Sequence, residues 1–188
     1  VPRAGLSEDR VVEAAELLAD EGEPVTLAVL ARRLGVQVPS LYKHVAGSDD
    51  LHRLMSIRAK NEFADMLMRA AVGKSGSDAL AALADAYRDW AITHPGRYAT
   101  TLRAPDANDE DDMTASSRAI QIIFDALGGY GLSNNDLVDA TRIFRSTLHG
   151  FVTLDAAGAF ALPDLDRSFG RMVAMFRASL AEWPALTI

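Results

Sequence analysis

The chain has 188 residues, 49% of them hydrophobic, and a formal net charge of −7. That length can bury a sizeable core, either in one domain or in a small domain joined to a larger one. The absence of cysteine excludes disulfides and thiolate metal sites, and no run approaches the roughly 18 apolar residues of a membrane span, so the expectation is a soluble, cytoplasmic protein.

Taken in order, the chain reads as helices throughout, with no strand pattern and no internal repeat. Residues 1–6 lack periodicity, and their Val1-Pro2-Arg3-Ala4-Gly5 start carries no signal-peptide or lipidation pattern. Ser7 is placed to cap a helix reaching about Glu21, with Val11, Ala14, Ala15, Leu18 and Ala19 as its inner stripe. Glu8 and Asp9 suit that helix's N-terminal dipole, and Gly22-Glu23-Pro24 ends it. Thr26 stands as the N-cap of a short helix whose stripe is Leu27, Leu30, Ala31 and Leu34. Gly35 supplies a left-handed stop, and Gly35-Val36-Gln37-Val38 forms a turn. Pro39 then opens a second short helix in which Leu41 and Val45 face inward. Ser40, Tyr42, Lys43 and His44 are left pointing outward or sideways.

Ala46-Gly47 breaks that helix. Ser48 is expected to cap a long connector running to about Val72, with Asp49 and Asp50 in its first turn. Gly73-Lys74-Ser75-Gly76-Ser77 is a breaker; it lacks the glycine spacing and preceding strand of a phosphate loop. Further helices are predicted at about 78–94, 95–103, 114–127, 134–157 and 165–182. The stretch 105–112, PDANDEDD, reads as a solvated acidic loop.

Two short helices, a tight glycine turn and hydrogen-bonding residues on the second helix are the parts of a helix-turn-helix. Residues 26–54 resemble the DNA-binding segment of the TetR family of transcriptional regulators. The matching residues are Thr26, Leu30, Ala31, Leu34, Gly35, Val36, Pro39-Ser40-Leu41-Tyr42, His44, Val45, Asp50 and Leu51. The resemblance implies an all-α homodimer with a three-helix head at 1–50 and a helical-bundle body at 51–188 for ligand binding and dimerisation. The connector at about 48–72 joins them. The stretch from His94 to Tyr98 resembles a junction common in that family. Arg142 to Phe151 resembles the dimer helix of one subgroup, with Leu148-His149-Gly150 where Trp-His-Gly is common.

Charge distribution is compatible with this likeness. Between Arg32 and Lys60 six basic residues face two acids, a local balance of +4 in a chain of net −7. A basic patch on an acidic body is the footprint of a DNA-binding head. Gln37, Ser40 and Lys43 are the candidates for base edges. Thr26 offers a hydroxyl and backbone N–H to a phosphate, or acts as a plain N-cap. Pro39 positions the helix, while Tyr42 and His44 suit phosphate contact or local packing. Ser48 stands where the family often carries a lysine, which leaves its hydroxyl and backbone N–H as substitutes for that phosphate contact.

In the body, Tyr87, Trp90, Tyr98, Phe124, Phe144, Thr147, Phe151 and Met175 are candidates to line a ligand site, although the same spacing suits plain core. Arg103, Arg118, Thr147 and His149 are candidate polar anchors. By resemblance, Ile143, Ser146, His149, Gly150, Phe169, Met172, Val173 and Phe176 would meet a second copy in a four-helix interface. The alternative is that they fill the monomer core.

None of the four histidines sits in a metal-ligand or nucleophile–base pattern, so the chain gives no sign of an enzyme, a metal or a cofactor. The expected function is a repressor released from a palindromic operator by a small apolar or aromatic molecule. The alternative is a ligand-independent DNA-binding dimer or activator whose body serves dimerisation or protein contacts.

Overall fold

The computed structural model describes residues 5–161 and 163–183, and among them no strand occurs. The chain is a succession of helices: α1 (Glu8–Asp20), α2 (Leu27–Leu34), α3 (Val38–Leu41), α4 (Ser48–Ala71), α5 (Gly76–Thr93), α6 (Pro95–Thr101), α7 (Glu110–Leu127), α8 (Asn134–Ala156) and α9 (Leu165–Ala181). A 3₁₀ turn at Gly128–Tyr130 follows α7. The chain packs as two units. The first takes the residues up to Glu62 together with Thr93–Ser117; the second takes Phe63–Ile92 and the residues from Arg118 onward.

Several helix ends follow directly from their local sequence. Ser7 accepts from the Arg10 N–H at the start of α1, and Ser133 accepts from the Asp136 N–H at the start of α8. Two helix starts differ from expectation, at Ser48 and at Asp164, each of which the sequence reads as an N-cap. α4 begins at Ser48 itself, and the cap-like bond comes from the Asp50 carboxylate, which accepts from the Ala46 N–H at 2.8 Å. α7 ends at Leu127, where the sequence places that end, and the chain then tightens into the 3₁₀ turn, which stops at left-handed Gly131. Asp164 precedes α9 with φ 69°, and its side chain makes no capping bond.

The first unit is built on the α1 stripe. Val11, Val12, Ala14, Ala15 and Leu18 pack with Leu30 and Ala31 of α2, Leu41 of α3, Val45, and Leu51 and Met55 of α4. Each fully buried leucine here stabilises by about 1.5–3 kcal/mol relative to exposure. α6 closes on α1 with no space between the backbones: a Cβ at Gly96 would collide with the Ala19 carbonyl group and the Asp20 nitrogen.

The acidic stretch is the largest departure from the sequence reading. α7 starts at Glu110, four residues earlier than expected, and Asp112 is fully buried. The reason is periodicity: Asp112 shares the inner face with Ala115, Ile123 and Leu127. Its carboxylate accepts from Lys60 at 2.6 Å, from Arg103 at 2.7 Å and from the Asp106 N–H at 3.2 Å. Burial works against its charge, but these bonds outweigh that and hold the carboxyl below its ordinary range. Nearby, Arg53 binds Asp109 through two nitrogens, and that bond takes the Asp109 carboxyl down to about 2.

The second unit buries Phe63 and Leu67 of α4, Leu80, Leu83, Tyr87 and Trp90 of α5, Ile123 and Leu127 of α7, Phe144, Leu148 and Val152 of α8, and Phe169, Val173, Phe176 and Leu180 of α9. Phe63 meets Tyr87 edge-on at 5.0 Å and Trp90 at 5.1 Å between ring centroids. Arg88 lies over the faces of Phe151 and Phe169, at 5.6 and 4.9 Å from their centroids, and its charge is met by Asp155 and Asp166.

Two substitutions test this packing in denaturant melts of the full chain. Asp112→Ala leaves Lys60 charged and buried, with an expected loss of about 3–5 kcal/mol. Gly96→Ala forces α6 off α1, with an expected loss of about 3 kcal/mol. An unchanged midpoint in either variant contradicts the contact described.

Candidate nucleic-acid interface

The α2–α3 corner is set by its backbone. The Thr26 hydroxyl accepts from the Val29 N–H at 3.2 Å and opens α2. Gly35 closes it at φ 68°, with the Gly35 N–H bonded to the Arg32 carbonyl and the Val36 N–H to the Ala31 carbonyl. This pair of hydrogen bonds around a left-handed residue satisfies carbonyls at the end of the helix and turns the chain sharply. Val36 tucks against the core, and Gln37 restarts the chain in extended conformation as the N-cap of α3.

α3 is a single short turn of helix, pinned from below by Leu41 and Val45, which are 0% and 2% exposed. Pinning those two residues leaves Gln37, Pro39, Tyr42 and Lys43 exposed, with Ser40 and His44 half-buried. Tyr42, at 56% exposed, stands out from the head rather than wedging into it. The Gln37 amide makes no capping bond.

One expected phosphate donor is already engaged. The Thr26 backbone N–H donates to the Pro24 carbonyl at 3.1 Å, so only its hydroxyl hydrogen is left to offer. Ser48 is exposed; the His52 Nδ1 donates to the Ser48 carbonyl at 2.7 Å, so the Ser48 hydroxyl, 3.4 Å from that nitrogen, keeps its own hydrogen to offer. By helix geometry the N–H groups of Leu27 and Ala28 still point out of the α2 N-terminus.

The basic patch is much smaller in the fold than in the sequence window. Arg33 forms a bidentate pair with Glu21 at 2.6 and 2.7 Å, which lowers the Glu21 carboxyl. Arg53 is held by Asp109, Arg58 by Glu16 and Glu62, and Lys60 by Asp112. Among the described residues, Arg32 and Lys43 remain as the cations of the window that make no ion pair. The neutralising acids lie outside the window, at 16–21, 62 and 109–112, where a local count does not see them.

Of the body candidates, Tyr87, Trp90, Tyr98 and Phe144 are buried, and Phe124, Thr147 and Phe151 are half-buried. They do not all share one unit: Tyr98 belongs to the first and the others to the second. Met175 is 69% exposed on the outside of α9. Arg103 and Arg118 are tied to Asp112 and Asp65. Phe169, Val173 and Phe176 are buried within the chain, and Phe176 meets Phe144 at 5.0 Å. Ile143 and Ser146 are exposed; His149, Gly150 and Met172 are half-buried. The space a Cβ would occupy at Gly150 is open.

Residues 80–176 match the family model described as tetracyclin repressor-like, C-terminal domain. The chain is 38% identical to the uncharacterised HTH-type transcriptional regulator Rv0681 of Mycobacterium tuberculosis, over 94% of this chain and 83% of that protein. This chain belongs to the TetR family of transcriptional regulators. It is also 35% identical to the uncharacterised HTH-type transcriptional regulator YobS of Bacillus subtilis, over 85% of this chain and 84% of that one. The crystal structure of a TetR variant from Acinetobacter baumannii AYE in complex with minocycline has a TM-score of 0.72 at 21% identity, covering 97% of this chain and 100% of that chain. At that identity the likeness shows the fold. The family model and the resemblance of residues 26–54 rest on separate parts of the chain.

Among the described residues no group of three or more His, Cys, Asp or Glu could hold a metal ion, and no helix is long and apolar enough to cross a membrane. At Gly35 a Cβ would meet no neighbour, so Gly35→Ala carries only the backbone cost of a left-handed residue. The expected loss is about 1–2 kcal/mol in thermal unfolding, with the helical content unchanged.

Proposed function

We propose that this TetR-family chain is a homodimeric repressor that a small molecule releases from a palindromic operator. The observation that carries the reading is α3, pinned beneath by Leu41 and Val45, with Gln37, Ser40 and Lys43 on its open side. We take residues 1–50 as the DNA-binding head, about 48–72 as the connector and 51–188 as the ligand-binding and dimerisation body. Two such heads would enter major grooves about 34–36 Å apart. Gln37 would pair with adenine, Lys43 with guanine and Ser40 with either base, while Pro39 sets the helix start. The Thr26 hydroxyl, Tyr42, His44 and Ser48 would meet the phosphates, with few formal charges contributing.

A partner copy would cover the exposed side of α8, where Ile143, Ser146, Gly150 and Leu154 recur at helical spacing, together with Met175 of α9. Phe169, Val173 and Phe176 would support that face from beneath. The effector would be an apolar or aromatic molecule held among the body aromatics. Its binding would oppose operator binding by about 1–3 kcal/mol. The tight contacts of Phe63 with Tyr87 and Trp90 favour the second reading, in which the body is filled and serves only dimerisation.

The first test is titration of the purified protein with DNA fragments from around its own gene at fixed salt. Saturable binding to one palindromic fragment supports the regulator reading; weak, equal binding to all fragments contradicts it. On the operator, Lys43→Ala is expected to weaken binding by about 1–3 kcal/mol with unchanged thermal stability. Ile143→Asp is expected to shift the protein from dimer to monomer in light scattering.

A further inference from the structure

Six charged or titratable groups from three elements meet where α1, α4 and α6 come together in the first unit. Glu16 and Asp20 lie on α1, Arg58 and Glu62 on α4, and His94 and Arg97 at the start of α6. Arg97 donates to Asp20 through its backbone N–H at 2.8 Å and through Nε at 2.7 Å. Its Nη1 reaches Glu62 at 3.0 Å, and its Nη2 lies 2.5 Å from the His94 Nδ1. Arg58 stands between Glu62 and Glu16, with its Nε 3.3 Å from a carboxylate oxygen of each. His94 is also 3.4 Å from Asp20.

The weak point is Glu16. It falls on the inner face of α1 and is 2% exposed, yet its Oε1 accepts no hydrogen bond. Three carboxylates share two guanidinium groups here, so full ionisation leaves one negative charge in excess. We infer that Glu16 is the proton-binding centre of a latch that holds α1 against α4 and α6, closed when the carboxyl is protonated and loosened when it ionises.

The charge balance at Glu16 supports this. Burial pushes the carboxyl up; Arg58 and Arg97 oppose the rise, while Glu62 and Asp20 add to it, and the result is about 7. The ordinary value is 4.5. Between the two, the closed form binds more protons than the open one. Its stability is therefore highest below about 4.5 and falls as pH rises towards about 7. Gly96 makes the junction sensitive, because α6 touches α1 backbone to backbone and any loosening breaks several contacts at once. The latch lies within the first unit alone and does not depend on the protein being a repressor.

The test is hydrogen exchange of the α1 and α6 amides in the full chain, corrected for the intrinsic pH dependence of exchange. Between pH 5.5 and 8 the wild-type junction is expected to open about twenty- to thirtyfold more often. Glu16→Gln, a neutral isostere, is expected to abolish that change and to be better protected than wild type at pH 8. Wild-type protection independent of pH overturns the inference. So does the same pH dependence in Glu16→Gln, which would place the proton on another group of the cluster. Carbon NMR of the wild-type carboxyls gives a reading without any variant: titration of Glu16 near pH 4.5 also overturns it.

Discussion

At Gly96 the first turn of α6 runs against the last turn of α1 with room for a hydrogen atom and nothing larger. Much of the first unit follows from that approach. It brings the Arg97 N–H and guanidinium onto Asp20, and from there the Arg97 side chain reaches Glu62. The segment after α5 is thereby joined to helices more than thirty residues earlier in the chain. α6 consequently packs on α1, and the start of α7 is tied to α4 through Arg53 and Lys60, although the chain reaches both only after passing through the second unit.

That arrangement also explains the quiet electrostatics of the head. A stretch rich in arginine and lysine suggests a surface of open positive charge, yet most of its cations are held by carboxylates that the fold supplies from a distance. Exposed pairs such as Arg33–Glu21 contribute little to stability. Lys60 with Asp112 is different, because neither partner can be left alone in the interior without a large cost. The positive groups of the window thus act mainly as internal ties. Recognition of a nucleic acid has to draw on hydroxyls, amides and helix ends to a greater degree than the bare charge count implies.

The parts legible in the sequence are those governed by local rules. Ser7, Thr26 and Ser133 mark helix starts because a short side-chain oxygen can reach an N–H two or three residues on. Gly35 marks a stop because only glycine enters the left-handed region without strain. The α5 stripe from Leu80 to Ala91 is visible because it repeats at 3.6 residues per turn, and Leu80, Leu83, Ala84, Tyr87, Trp90 and Ala91 are all buried. The parts that were not legible are governed by distant partners. Nothing within PDANDEDD announces that Lys60 and Arg103 await Asp112, although extending the α7 stripe back from Ala115 does put Asp112 on the inner face. Glu16 is similar: it lies beside the stripe of α1, and its burial depends on Arg58, forty-two residues away in the chain. The candidate α9 residues Phe169, Val173 and Phe176 carry an apolar pattern that serves a core or an interface equally, and periodicity does not separate the two.

The start of α3 has one more consequence. A residue at a helix N-cap is normally held to a short list of types, because its side chain must satisfy an N–H at the second or third helical position. Here the second position is Pro39, which has no N–H, and the N–H of Ser40 is taken by the Gln37 carbonyl at 2.8 Å. Position 37 is thus relieved of structural duty. Its side chain can be exchanged for others without loosening the corner, and Leu41 and Val45 keep their hold whatever residue stands there. A fold built this way leaves one outward-facing position free of the demands that hold the rest of the corner in place.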